Sequence, residues 1–162
     1  MLIELPYSFP GRVFRSPMPF GPYDRDSVWQ SYREEEINLV VVLTEPQEYL
    51  VYAGRDLLEF YRSQGLDVLH LPVPDFGIPG DLVLWEKTLN SVAQAGREGK
   101  NIAVHCLAGI GRTGIFLACL AKENLSVDGE QAIIWVRESV RGAMENEDQE
   151  QFVKNYKPTG TD

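Results

Sequence analysis

Asn101-Ile102-Ala103-Val104-His105-Cys106-Leu107-Ala108-Gly109-Ile110-Gly111-Arg112-Thr113-Gly114 reads as a short buried strand, a glycine-bearing loop and the opening of a helix. Ile102 to His105 is an apolar run of strand length, and Gly111 to Glu123 is apolar over helical length. Gly109 and Gly111 permit sharp turns between them. A loop wound into a helix N-terminus turns several backbone N–H groups inward and adds the positive end of the helix dipole, which together make an anion cradle. Arg112 brings a planar fork that binds two phosphate oxygens at once. Cys106 opens the loop, where the same donors stabilise a thiolate, the form of cysteine that attacks.

Outward from this segment, strand and helix patterns alternate. Arg12 to Arg15 reads as a short strand, and Asp24 to Glu36 as a helix with Asp24, Asp26 or Ser27 as its cap. Ile37 to Leu43 and Asp67 to Leu71 read as strands buried on both faces. Arg55 to Gln64 is a helix stopped by Gly65, and Asp81 to about Arg97 sets Leu82, Trp85, Leu89 and Val92 on one helical face. Asp128 opens a further helix with Gln131 in capping-box spacing, and Glu147 to Tyr156 is the last. This order predicts an α/β fold, a central and mostly parallel sheet flanked by helices, with ligands beyond the carboxyl ends of the strands.

The bulk numbers set the outer bounds. At 162 residues and 44% hydrophobic, the chain is expected to form one domain over residues 1–162 with its own core. A net charge of −9 disfavours nucleic acid and anionic membrane surfaces as partners, since both need a positive field. Two cysteines are too few for a disulfide framework, Glu4 and Pro6 interrupt the only apolar stretch of the N-terminus, and no run is long enough for a membrane span. The expectation is a soluble, intracellular, cytoplasmic protein, and a monomer.

Other readings of the loop compete. A free cysteine by itself is most often a small core residue. Gly109-Ile-Gly111-Arg-Thr-Gly114 matches a dinucleotide fingerprint, yet no second strand ending in an acid follows at the required distance. A zinc site would have to use His70, His105, Cys106 and Cys119, whose spacing is wrong. A Walker loop lacks its lysine.

His105-Cys106, five residues, then Arg112-Thr113 is similar to the signature of the protein tyrosine phosphatase superfamily, and Val73-Pro74-Asp75-Phe76-Gly77-Ile78-Pro79 resembles that superfamily's mobile acid loop. The chain as a whole, from Gly11-Arg12-Val13 through Leu43-Thr44-Glu45 to Asp148-Gln149-Glu150, resembles the small atypical dual-specificity members. Val73 stands where the acid loop usually has Trp, and no separate phosphotyrosine-recognition loop is found.

The resemblance implies a single phosphatase catalytic domain that needs no cofactor and no metal. Cys106 is the implied nucleophile, with the loop amides of Leu107, Ala108, Gly109, Ile110, Gly111 and Arg112, and the Arg112 fork, holding the phosphate. Asp75 is the implied general acid and base; a turn-forming Asp before Gly77 is the competing reading. Thr113 would donate to the cysteine sulfur, and His105 would orient the loop and raise the thiolate fraction. Gln149 resembles a glutamine that positions the hydrolytic water, against a plain surface position on its helix. Arg141 resembles an arginine that supports the loop from below, against a solvated cation at a helix end. His70, Cys119, Trp29, Trp85 and Trp135 read as structural, and Glu34-Glu35-Glu36 as a solvated face. The expected substrate is a phosphorylated protein or peptide, with phosphotyrosine first and phosphoserine or phosphothreonine as further possibilities. The alternatives are a phosphoinositide or inositol-phosphate phosphatase and a phosphate-binding module without turnover. The apolar side chains of Leu107, Ala108 and Ile110 argue against a highly charged substrate.

Overall fold

The structure, a computed structural model, describes residues 1–158. In chain order the elements are β1 (Ile3–Leu5), β2 (Val13–Ser16), α1 (Val28–Glu34), β3 (Leu39–Val42), α2 (Pro46–Tyr52), α3 (Leu57–Ser63), β4 (Asp67–His70), α4 (Leu82–Arg97), β5 (Ile102–His105), α5 (Gly111–Asn124), α6 (Gly129–Ser139) and α7 (Glu147–Asn155). The sheet order is β1-β2-β5-β3-β4. Only β1 runs antiparallel to its neighbour, so the expected mostly parallel α/β sheet is present with one reversed edge.

Alternation along the central strands divides the core in two. Leu39 and Val41 of β3 and Ile102 and Val104 of β5 face a cluster with Trp85, Leu89, Ile115, Phe116 and Val136 from α4, α5 and α6. Val40, Val42 and Ala103 face the opposite cluster, with Tyr32 of α1, Tyr49 of α2 and Leu57 and Tyr61 of α3. Helix α5 runs behind the sheet with every residue from Gly111 to Ala121 buried, so it shows no polar face. Truncating Phe116, wholly buried there, would cost about 3–5 kcal/mol.

The register puts Ser16, His105, Val42 and His70 level with one another at the carboxyl ends of four adjacent parallel strands. The segments that leave this row build the site.

Several expectations change in detail. β4 is an edge strand and half-exposed, because β3 covers only one of its sides; a short apolar run does not reveal its place in the sheet order. Helix α1 starts at Val28, not Asp24. Asp24 instead ties a turn, accepting from the Phe20 and Val28 backbone N–H groups at 2.8 and 2.9 Å. Helix α2 was not expected; Pro46 begins it, and Glu45 with Glu48 forms a capping box.

Candidate active site

Cys106 follows the last residue of β5 and lies almost wholly buried beneath the loop that leads into α5. The loop's shape follows from where its carbonyls go. Cys106 O accepts from His105 Nδ1 at 3.0 Å and Leu107 O from Met18 N at 3.0 Å. Ala108 O and Gly109 O accept from Arg15 Nη2 and Nε, both at 3.0 Å. Ile110 O accepts from Gly114 N at 3.0 Å and Met144 N at 3.3 Å. In a planar trans peptide the next N–H points opposite to the carbonyl. Donors outside the loop thus turn the N–H groups of residues 107–111 inward, and the N-terminus of α5 adds its dipole. One of these amides, Gly109 N, reaches Cys106 Sγ at 3.2 Å. Gly109 has φ +78°, and a Cβ there would collide with the Ser16 carbonyl and lie 2.6 Å from Arg15 Nη2. No other residue fits at this position.

The Arg112 side chain is 2% exposed, and both of its terminal nitrogens are engaged. Nη1 donates to Glu48 Oε2 at 2.8 Å and to Val73 O at 3.0 Å; Nη2 donates to Glu48 Oε1 at 2.9 Å and to Asp75 Oδ1 at 3.1 Å. Burial works against this cation, but Glu48, Cys106 and Asp75 outweigh it and hold its pKa above the ordinary arginine value. Asp75 is 46% exposed, so the structure brings it to the mouth of the site in contact with Arg112.

His105 is completely buried, and burial first, then the nearby Arg112 charge, pulls its pKa down to about 4. The ring is neutral at pH 7, which settles its tautomer. Nδ1 faces a carbonyl and must carry the hydrogen, so Nε2 accepts from the Tyr61 hydroxyl at 2.9 Å. The expected orienting role thus rests on hydrogen bonds. A positive imidazole is not available at neutral pH to raise the thiolate fraction.

Thr113 and Gln149 stand differently from expectation. The Thr113 hydroxyl is buried without a hydrogen-bond partner, so the bond to the Cys106 sulfur is not made in this arrangement. Gln149 is no surface residue: it is wholly buried, its Oε1 accepting from Glu145 N at 2.7 Å and its Nε2 donating to Gly77 O at 3.1 Å. Asn146, the N-cap of α7, donates from Nδ2 to Phe76 O at 2.9 Å. Two side-chain amides therefore tether the segment that carries Asp75, and Phe76 within it holds a left-handed φ of +59°.

Arg141 is exposed in the turn after α6 and does not support the loop. Arg137 braces that region instead, donating to Ala143 O at 2.9 Å and Met144 O at 3.3 Å, next to the amide that holds Ile110 O. Cys119 is buried in α5, and burial pushes its thiol far above the ordinary range, as suits a core residue. His70 donates to Thr44 O at 2.8 Å, a structural bond at the strand ends. Among the described residues no group of three or more His, Cys, Asp or Glu side chains is placed to hold a metal ion. No helix among them is long and apolar enough to cross a membrane.

Glu48, Arg15, Tyr61 and Asn146 went unread in the sequence. Arg15 left only a weak signal, a cation at the end of a run read as a strand, and its burial is known from the structure alone. Glu48 left a weaker one, the Pro-led capping box that predicts a helix but not its partner.

Residues 23–124 match the family model described as "Tc-R-P: Polymorphic toxin system, DSP-PTPase phosphatase". Over 128 residues, 78% of this chain and 66% of the relative, the sequence is 34% identical to the PRL-1 phosphatase of Drosophila melanogaster. Over 98 residues it is 35% identical to a probable protein tyrosine phosphatase type IVA A of Dictyostelium discoideum, covering 59% of this chain and 57% of that one. The chain thus spans about half to two thirds of the length of the curated relatives it matches. Among solved structures, the active form of Tk-PTP superposes with a TM-score of 0.74 at 30% identity, covering 89% of this chain and 90% of that one. A kinase associated phosphatase whose catalytic-site cysteine is replaced by serine gives a TM-score of 0.81 at 22% identity, covering 94% and 91%.

Proposed function

Because the chain belongs to the DSP-PTPase phosphatase family, we propose that it is a cysteine-dependent phosphatase acting on phosphotyrosine in proteins, with phosphoserine and phosphothreonine as further substrates. The observation that carries this reading is the ring of inward-turned amides around Cys106, closed on one side by Arg112. Such a ring complements the three equatorial oxygens of a phosphoryl group in flight.

In the proposed reaction Cys106 Sγ attacks phosphorus in line, and the bond to the leaving oxygen breaks as Asp75 gives that oxygen a proton. Water then attacks the phosphocysteine. Asp75 takes a proton from it, and the sulfur leaves as thiolate with phosphate released. The loop amides hold the oxygens throughout, joined by Arg112 through Nε and through the Nη2 hydrogen that Asp75 gives up as it turns to the leaving oxygen. The unpartnered Thr113 hydroxyl is the donor available to the departing sulfur. The amide of Gln149 is committed to Glu145 and Gly77, so anchoring the acid segment is favoured over water-positioning as its role.

Support for an aromatic or lightly charged leaving group comes from Leu107, Ala108 and Ile110, half-buried apolar side chains on the loop, and from the net charge of −9. A highly charged inositol phosphate would meet few cations here. The two free cysteines, one of which must remain a thiol to react, fit the reducing cytoplasm. The deciding experiment is a turnover panel of phosphotyrosine and phosphothreonine peptides against inositol phosphates. The peptides should dominate; faster release of phosphate from an inositol phosphate would overturn the substrate class, and no turnover of any ester would overturn the activity.

A further inference from the structure

Arg15 is buried in β2, between β1 and β5, and its guanidinium bonds to three backbone carbonyls. Two of these belong to consecutive loop residues, Ala108 and Gly109, and the third is Met1 O at 3.2 Å. Among the described residues no carboxylate pairs with it. A buried cation without an anion is costly, and a guanidinium does not escape by losing its proton.

We propose that Arg15 is a positioning residue with two effects on the reaction, casting the anion cradle through its fork and offsetting with its charge the cost of a thiolate at Cys106. The inference deepens the phosphatase reading and rests on it for its consequence in turnover. The first effect follows from geometry. By gripping Ala108 O and Gly109 O, the fork turns the N–H groups of Gly109 and Ile110 into the cavity, and Gly109 N thereby reaches Cys106 Sγ. The close fit of Arg15 under Gly109 leaves no room for a side chain there.

The second effect follows from the charges that face Cys106. Arg112 approaches from α5, but Glu48 of α2 and Asp75 of the acid segment already balance it. His105 of β5 is neutral, and the phenols of Tyr32 and Tyr61 behind it stay protonated because burial raises their pKa values. Among the described residues Arg15 is the cation that grips the loop without a carboxylate partner. Burial lowers its own pKa, and Cys106 is the foremost group pushing it back up. The Arg15 fork grips the carbonyl of Gly109, the residue whose N–H meets Cys106 Sγ, so its charge stands close to the sulfur and favours the thiolate.

The test is the pH dependence of Cys106 alkylation by iodoacetamide, located by peptide mass spectrometry, together with inhibition by inorganic vanadate. Both are read in the wild type, Arg15→Lys and Arg15→Met. In folded Arg15→Met the alkylation midpoint should rise by about one pH unit or more, and vanadate should weaken roughly tenfold. Arg15→Lys, which keeps the charge but not the fork, should hold its midpoint near the wild type and still lose vanadate affinity. A purely structural arginine would lower stability without moving the midpoint, so a folded Arg15→Met with the wild-type midpoint overturns the electrostatic effect. Should Arg15→Met not fold, Arg15→Lys with undiminished vanadate affinity overturns the cradle effect. Alkylation needs no turnover, so failure of the phosphatase reading would show separately, as a wild-type protein that turns over no ester.

Discussion

Arg112 and Glu48 meet along two parallel bonds, Nη1 to Oε2 at 2.8 Å and Nη2 to Oε1 at 2.9 Å, which join the first turn of α5 to the first turn of α2. The pair fixes the plane of the guanidinium and leaves its other hydrogens to the Val73 carbonyl and to Asp75. The proposed phosphate fork of Arg112 is thus held from α2, a helix that lies outside the signature loop.

Removing Glu48 should therefore damage both fold and affinity. Glu48→Ala leaves the buried Arg112 charge with only the half-exposed Asp75 as counter-ion, with an expected loss of about 3 kcal/mol in urea unfolding. Vanadate inhibition should weaken as the fork loses its fixed plane. Glu48→Gln, which keeps one acceptor, should be milder on both counts. An Ala variant as stable and as readily inhibited as the wild type would mean that the pair does no positioning.

Cys106→Ser keeps the cradle, because the loop carbonyls are held by Arg15, Met18, His105 and Met144 and not by the sulfur. Turnover should fall by several orders of magnitude while binding of a phosphotyrosine peptide persists, as read by calorimetry. A variant retaining more than a few per cent of activity would sink the phosphocysteine route.

The tether on the acid segment predicts a shared kinetic signature. Proton donation matters most when the leaving oxygen is poor, so Asp75→Asn should depress turnover of a phosphopeptide far more than that of an activated aryl phosphate. Asn146→Ala, which frees Phe76 O, should show the same bias toward poor leaving groups in weaker form. If Asn146→Ala slowed both substrates equally, α7 would contribute to stability and not to placing the acid.

His105 makes stability depend on pH with a definite sign. Its native pKa of about 4 lies below the unfolded value near 6.5, so above pH 6.5 neither state carries the proton and the residue contributes nothing. As the pH falls from 6.5 to 4 the unfolded chain takes up a proton that the folded chain refuses. Folding should lose up to about 3 kcal/mol across that window. Urea unfolding at pH 7 and pH 4.5 measures the slope, and His105→Asn should flatten it. An imidazole that titrates near 6.5 in the folded protein by NMR would contradict the neutral, Tyr61-bonded ring.

The signature segment could be read early because its physics is local. Strand, glycine turns, helix start, Cys106 and Arg112 all lie within residues 101–114, and spacing alone brings them together. What supports them is not local. Arg15 reaches Gly109 across 94 positions of sequence, and Glu48 reaches Arg112 across 64. Neither distance leaves a periodicity to detect. The same reason hid the edge status of β4, which depends on strand order, and the burial of Gln149, which depends on how α7 packs against Gly111 and Gly77. Of the two readings of Arg141 the structure bears out the solvated helix-end cation, while Arg137 and Arg15 do the bracing.

The level row of Ser16, His105, Val42 and His70 carries a consequence for how the molecule assembles. Each strand of that row, or the segment leaving it, contributes something the others need: Arg15 and Met18 a grip on the loop, Glu48 a plane for Arg112, Asp75 a carboxylate. Parallel strands cannot pair through a simple hairpin, so the row forms only once long intervening stretches have been looped out. A partly folded chain, even one with α5 and its signature loop intact, would hold Cys106 among unaimed amides. Competence therefore needs the whole row, and a variant destabilised in the core away from the loop should lose activity in step with its folded fraction.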